Sequence, residues 1–268
     1  AYFFGSLGTS VTILQRGNVL MNNEDTDIAT AFTSLYKKQY NVLLNADTKR
    51  IYKQGKNIAL DVFISTKKKK LVCDALLVAT GRQPNADLLH VSSTGVAVTD
   101  RGFIKVNEFL ETTAPGIYAI GDIVGNYMFK HSANLEAAYA IQNAFGKKTP
   151  VDYTAMPHAA FSNPQVAGVG LTEQELITKK IPYRAARYDY KNTGYGLALH
   201  EKNGFVKALI DPTTRKILGC HIIGPHASIL IHEVVVAMKN GLPVEAIQKT
   251  IHAHPALSEV VQRAFNQF

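Results

Sequence analysis

Cysteine is nearly absent from the sequence: the 268 residues contain two, Cys73 and Cys220. So few cysteines exclude a disulfide scaffold, and their separation excludes a CxxC metal site. Each lies inside an apolar, strand-like run and reads as a small buried hydrophobe. This usage fits a reducing compartment, so a cytoplasmic location is expected. Long apolar runs are also missing, and nothing approaches the roughly 20 residues needed to cross a bilayer. No membrane partner is therefore expected. The opening residues Ala1-Tyr2-Phe3-Phe4 lack the basic flank and cleavage pattern of a signal peptide. They also lack an initiator methionine, so the chain is expected to start inside a longer protein. Internal repeats and low-complexity linkers are lacking too.

What is present is ordinary soluble globular composition, 46% hydrophobic and 19% charged. The formal net charge is +8. A nucleic-acid surface needs that charge gathered on one face. The one dense run, Lys67 to Lys70, sits between two alternating apolar stretches and reads as a solvated hairpin tip. No nucleic-acid partner is expected.

Residues 1–8 read as the end of a helix closed by Gly8, followed by a short buried strand at Val11-Thr12-Ile13-Leu14. Residues 25–38 predict a helix, with Asp25, Thr26 and Asp27 able to cap and Ile28, Phe32 and Leu35 at helical spacing. Strands are predicted at 40–45, 48–53, 58–65 and 71–79. The run Leu76-Leu77-Val78-Ala79 has the continuous apolar character of a buried parallel strand. Residues 82–116 are polar and turn-rich. Ile117-Tyr118-Ala119-Ile120 reads as a second buried strand, and a helix is predicted from Ala133 to Phe145. Beyond Tyr153 the texture changes. Alternating runs at 158–161, 165–169, 183–188, 204–210 and 217–223 predict an antiparallel sheet. Helices are predicted at 172–179, 226–240 and 243–250, with a last one starting at Pro255. This second half is an α+β domain.

Three stretches carry chemical signal. In Ala79-Thr80-Gly81-Arg82-Gln83-Pro84-Asn85 a strand ends in a glycine that permits close backbone approach, which a cofactor or a plain turn would use equally. In Ile117-Tyr118-Ala119-Ile120-Gly121-Asp122 a carboxylate stands at the tip of a strand. There it can accept hydrogen bonds from sugar or ribityl hydroxyls, although a lone Gly-Asp is also a common turn. Met128-Phe129-Lys130-His131 leads into the helix at Ala133, whose N-terminal N–H groups favour an electron-rich ring or anion. In His252-Ala253-His254-Pro255-Ala256-Leu257-Ser258-Glu259, proline suits the first position of a helix and holds His254 extended at its entrance. Glu259 can reach back to an imidazole there, the arrangement of a general acid–base near neutral pH. From spacing alone a capping histidine with a dipole-stabilising glutamate is the simpler account. No third ligand supports zinc at the two histidines.

Taken together and in order, these stretches resemble the pyridine-nucleotide disulfide oxidoreductases, over residues 1 to about 265. The resemblance is strongest to the dihydrolipoamide dehydrogenase branch, through His252-Ala253-His254-Pro255. The mycothione and glutathione reductase type of low-molecular-weight disulfide reductase comes second, through Lys130-His131-Ser132-Ala133-Asn134. The resemblance implies an α/β plus α+β architecture. Residues 1–85 would be a partial Rossmann-like nicotinamide domain and 86–150 the returning segment of the FAD domain. Residues 151–268 would form an interface domain with an antiparallel sheet that builds a homodimer. It implies FAD, with NAD or NADP, as cofactors. It implies His254 as the catalytic acid–base and Glu259 as the carboxylate that orients it. It also implies flavin contacts from Gly121, Asp122, Met128, Phe129, Lys130, His131 and Ala133, and a nicotinamide contact from Gly81. The partner would be a small dithiol or disulfide, or the lipoyl domain of a 2-oxo acid dehydrogenase complex.

The chain departs from the family pattern in one large respect. The flavin GxGxxG, the CxxxxC disulfide and the nicotinamide GxGxxG are all absent. Cys73 and Cys220 cannot replace the disulfide. The parent is expected to be an enzyme, and the chain alone is expected to be inactive and to hold FAD poorly. After Leu14 an acid would favour NAD by binding the ribose hydroxyl. Gln15 can hydrogen-bond that hydroxyl and Arg16 can accept a 2′-phosphate, so the choice of nicotinamide stays open. A non-catalytic dimerisation fragment is the remaining alternative.

Overall fold

A computed structural model describes residues 1–268, the side chain of Ser92 excepted. The chain folds as two compact units, one made of residues 1–77 and 155–268 and the other of residues 78–154.

The larger unit opens with α1 (Tyr2–Ser6), β1 (Thr12–Leu14), α2 (Thr26–Gln39) and β2 (Asn41–Leu43). Strands β1 and β2 are parallel, with Ile13 opposite Val42, so α2 is the crossover of a βαβ unit. Helix α2 starts where expected because the Asp25 carboxylate accepts from the Asp27 N–H at 3.0 Å. An antiparallel three-stranded sheet follows, from β3 (Ala46–Gln54), β4 (Asn57–Ile64) and β5 (Lys67–Cys73) in that order. Lys67 to Lys70 are thus a strand and not a hairpin tip. The turn is Ser65-Thr66, and Lys67 lies opposite Ile64. Pairing with the apolar strand β4 overrides the polarity of the run, which stays exposed.

In the smaller unit the long helix is α3 (Lys130–Phe145), three residues longer at its start than expected. Neither apolar run expected as a buried strand forms one. Leu76 to Ala79 has no ladder, and Leu77 and Val78 are 70% and 66% exposed. The 117–120 stretch makes only an isolated bridge, Glu111 to Tyr118, before a 3₁₀ turn at Gly121–Val124. A parallel strand is stable only between neighbours, and none of the described strands forms a ladder with either run.

The rest of the larger unit is β6 (Pro157–Ala160), β7 (Gln165–Gly170), α4 (Glu173–Lys179), β8 (Arg184–Asp189), α5 (Gly194–Ala198), β9 (Phe205–Ile210), β10 (Ile217–Gly224), α6 (Ala227–Lys239), α7 (Glu245–Gln248) and α8 (Ser258–Phe265). The five strands form one antiparallel sheet in the order β6-β7-β10-β9-β8, close to the predicted runs. Strand alternation sorts its side chains. Ala167, Val206, Ala208, Cys220 and Ile222 face a core with Ile231, Val234, Val260 and Phe265 from α6 and α8. Val166, Phe205 and Ile223 face the opposite way, against Ile28, Phe32 and Tyr36 of α2. Cys220 is a buried core residue whose thiol burial pushes upward, and Cys73 is half-buried. Among the described residues no helix is long and apolar enough to cross a membrane.

Helix α4 shows how local chemistry positions an element. Thr172 and Glu175 form a reciprocal capping box, in which the Thr172 N–H donates to the Glu175 carboxylate at 2.9 Å and the Glu175 N–H donates to the Thr172 hydroxyl at 3.3 Å. Thr172→Ala is expected to lower stability by about 1 kcal/mol, and Thr172→Ser to restore most of it. Urea denaturation of the two variants checks this, and equal losses in both would refute the capping account.

Candidate active site

The histidine–carboxylate arrangement expected at the C-terminus is present. His254 Nδ1 lies 3.1 Å from both carboxylate oxygens of Glu259. Helix α8 begins at Ser258, not at Pro255, because Ala256 and Leu257 first make a turn and the Ala256 N–H donates to Glu259 Oε2 at 3.1 Å. The residue at the helix entrance is therefore Leu257, and Pro255 follows His254 through a cis peptide bond. Glu259 sits in the first turn, where the helix dipole also favours its charge. The Ala256 N–H and then His254 hold its carboxyl below the usual range, so it is ionised at neutral pH. An ionised carboxylate accepts only, which puts the proton of a neutral His254 on Nδ1 and leaves the Nε2 lone pair available. The His254 side chain is 73% exposed while that of Glu259 is 11% exposed. The imidazole is thus open to solvent and its carboxylate partner is sheltered.

A second histidine–carboxylate pair lies two residues away, which the sequence reading did not identify. His252 Nδ1 faces the Thr250 carbonyl at 2.9 Å and its Nε2 lies 2.8 Å from Glu233 Oε2 on α6. A carbonyl accepts only, so Nδ1 donates, and one proton is shared between Nε2 and Glu233. Burial raises Glu233, and His252 opposes that shift. The signal available in the sequence was one carboxylate, Glu233, inside the mostly apolar helix 227–239.

In the smaller unit the structure brings together the two glycine-containing motifs. Arg82 Nη1 donates to Asp122 Oδ2 at 2.9 Å and to the Met128 carbonyl at 2.5 Å. Asp122 remains half exposed, with its second oxygen available to accept from a hydroxyl. Gly81 has φ +130°, a value other residues rarely adopt, and its Cα faces open space. Gly121, with φ +76°, lies against Ala133 of α3, where an added Cβ would meet the alanine Cβ at 3.4 Å. Its N–H donates to the fully buried Glu136 at 2.5 Å, and Tyr153 Oη donates to the other Glu136 oxygen at 2.7 Å. Burial and then this carboxylate push the Tyr153 phenol up to about 12. Phe129 and His131 stack at 5.0 Å at the start of α3, and Lys130 bonds to Asn134. Glu136 and the role of Arg82 escaped the sequence reading. These residues fit the hydroxyl-bearing chain of a flavin: an exposed carboxylate, a helix N-terminus and two glycines, with a buried glutamate fixing the backbone between them.

Gln15 and Arg16 lie just past β1. The Gln15 amide already donates to the Val19 carbonyl at 3.1 Å, leaving its oxygen to accept, and Arg16 is exposed.

Two family descriptions match the chain: "Pyridine nucleotide-disulphide oxidoreductase" over residues 1–138, and the dimerisation domain of the same family over residues 156–265. Curated relatives include the dihydrolipoyl dehydrogenase of Chlamydia trachomatis, 33% identical over 97% of this chain and 55% of that protein. That of Geobacillus stearothermophilus is 36% identical over 97% of this chain and 56% of that protein. Among solved structures, the HOCl-induced flavoprotein disulfide reductase RclA from Escherichia coli aligns with a TM-score of 0.88 at 28% identity, covering 99% of this chain and 61% of that one. LpdA from Mycobacterium tuberculosis shares the fold, with a TM-score of 0.91 at 22% identity over 99% of this chain and 58% of that one. The chain thus spans little more than half the length of the curated relatives it matches.

Proposed function

Because the chain belongs to the pyridine nucleotide-disulphide oxidoreductase family, we propose that it is the acid–base and flavin-contact part of an enzyme of dihydrolipoamide dehydrogenase type. The observation that carries this reading is the His254–Glu259 pair, with Nδ1 held at 3.1 Å from both carboxylate oxygens and the ring exposed. A thiol S–H reaching Nε2 gives its proton to the ring, leaving a thiolate, the form that carries out disulfide exchange. The Glu259 carboxylate stabilises the imidazolium that results, and the proton returns to sulfur in the reverse direction.

Asp122 would hold a ribityl hydroxyl. Gly121, Met128, Phe129, Lys130, His131 and Ala133 would line the flavin. Gln15 and Arg16 would meet the nicotinamide cofactor, NAD or NADP. Bound flavin and nicotinamide would supply hydride and electron transfer to and from the dithiol. In this reading residues 1–85 belong to the nicotinamide domain, 86–150 to the flavin domain and 151–268 to a homodimer interface. The substrate is a small dithiol or a protein-borne lipoyl group, with a low-molecular-weight disulfide as the second choice. The chain alone would lack turnover, since it has no CxxxxC and no glycine-rich phosphate loop.

Two preparations test the proposal, the purified chain and a polypeptide joining it to the family's flavin-binding and CxxxxC segments. The chain alone is expected to be colourless and inactive. The joined protein is expected to show a flavin band and to reduce nicotinamide with dihydrolipoamide. A joined protein that binds flavin but turns over no dithiol would overturn the functional reading. A yellow isolated chain would overturn the statement that it holds FAD poorly.

A further inference from the structure

The three-stranded sheet plays no part in the proposed chemistry, yet it holds most of the chain's net charge. Residues 46–73 contain eight of the 29 Lys and Arg and two of the 21 Asp and Glu, which is net +6 of the chain's +8. Strand β5 also forms an open edge, since it pairs with β4 alone. Its first four residues, Lys67 to Lys70, are all exposed. Successive strand side chains point to opposite faces, so ammonium groups flank this edge both above and below. Among the described residues the sheet's ion pair is Lys49 with Asp47, on the far strand β3. Asp61 of β4 lies opposite Lys70, while Lys67, Lys68 and Lys69 lie opposite Ile64, Phe63 and Val62 and face no carboxylate of the neighbouring strand.

Lysines on an edge strand ordinarily repel neutral or basic strands. An acidic strand reverses the sign of that interaction. Its backbone would complete the unpaired N–H and C=O row while its carboxylates met lysines on both faces. We propose that the β5 edge is a docking edge for an acidic, extended polypeptide segment, which adds as a fourth strand. A second copy of this edge would set lysine against lysine. A nucleic acid would match the charge but not the backbone row. The face's tyrosine, Tyr52, is also poorly placed to stack a base, because Arg50 and Lys70 already cover its ring at 4.9 and 5.5 Å from the centroid.

The test is fluorescence anisotropy of the whole chain with a labelled peptide, Thr-Val-Thr-Glu-Glu-Glu-Glu. Three comparison probes are its Gln analogue, a Pro-for-Val analogue that cannot sustain a strand ladder, and a thymidine oligonucleotide of equal charge. The acidic peptide is expected to bind about tenfold more tightly than each of the three, and more weakly as salt rises. Lys68→Glu with Lys70→Glu is expected to weaken it by about tenfold or more. Lys68→Gln with Lys70→Gln serves as the milder variant should the reversal disturb folding by circular dichroism. Equal binding of the Glu and Gln peptides overturns the proposal. So does equal binding of the Pro analogue, which would mean charge attraction without strand addition. Tighter binding of the oligonucleotide overturns it in favour of nucleic acid.

Discussion

His254→Ala is expected to lower dithiol turnover about 10²–10⁴-fold in a protein that joins this chain to the family's flavin and disulfide segments. Reduction of the flavin by nicotinamide should survive the change. The two half-reactions make different demands on this residue. Thiol–disulfide exchange needs a thiolate, and an ordinary thiol is mostly protonated at neutral pH. In the proposed mechanism the base is the Nε2 of the exposed His254, whose tautomer is set by Glu259 at 3.1 Å. Hydride transfer from nicotinamide involves no such proton at sulfur. Glu259→Gln leaves the imidazole in place but removes the charge that selects the tautomer and stabilises the imidazolium. It is expected to cost turnover less than His254→Ala does. The glutamate is held below its usual range by the Ala256 N–H and by His254. The carboxylate's contribution to stability is therefore present above the ordinary carboxylate pKa and is lost as pH falls through the lowered one. Steady-state dithiol kinetics and stopped-flow flavin reduction separate the two halves. Unchanged dithiol turnover in His254→Ala would sink the assignment, and loss of both half-reactions would point to misfolding.

How far this architecture could be read from the sequence depended on range. The five strands of the large sheet were legible because alternation and turn residues are local signals, and the capping of α2 by Asp25 was legible for the same reason. The His254–Glu259 pair lies five positions apart and could be read as a unit. Apolar runs were less informative. Leu76 to Ala79 and Ile117 to Ile120 announce burial without saying which strand they lie beside, and neither becomes a strand here. The lysine run misled in the opposite direction, because its polarity said nothing of the apolar partner strand that pairs with it. Partners distant in sequence left no trace at all. Arg82 and Asp122 are 40 positions apart, and Lys207 and Asp25 are 182 apart. No local pattern encodes such meetings. They follow from which strand lies next to which, as in the row His158, Gly168, His221, Lys207 and Arg187 that the registers align across the large sheet.

The lysine of that row carries the largest expected effect on stability. Lys207→Met is expected to destabilise the larger unit by about 3–5 kcal/mol, the usual result of removing one partner from a buried ion pair. On unfolding of a chain this size that amounts to a Tm lower by roughly 10 °C. Lys207 is 4% exposed, and its ammonium lies 2.8 Å from Asp25, 2.7 Å from Asp27 and 2.5 Å from Glu173. It thereby ties β9 to the starts of α2 and α4. Methionine would fill the space of the aliphatic stem, so the loss reports charge more than volume. The group left stranded is Asp25, whose side chain is 0% exposed. Burial pushes its carboxyl up, but Lys207 and the Glu173 N–H more than offset this and hold it below the usual range. A depressed carboxylate contributes stability that is present above its unfolded pKa and is lost as pH falls through its folded one. Without the ammonium, the same burial pushes Asp25 upward, and protonation relieves the variant before it touches the wild type. The stability gap between the two proteins should therefore be widest at neutral pH and narrow on acidification. Neighbouring groups do not reverse that sign. Burial holds His221 down, and His158 pairs with Glu24 at 2.8 Å, away from the lysine. Denaturant titrations of both proteins at several pH values provide the measurement. A gap that is small at neutral pH, or that widens as acid is added, would show that Lys207 is not what compensates the buried carboxylate of Asp25.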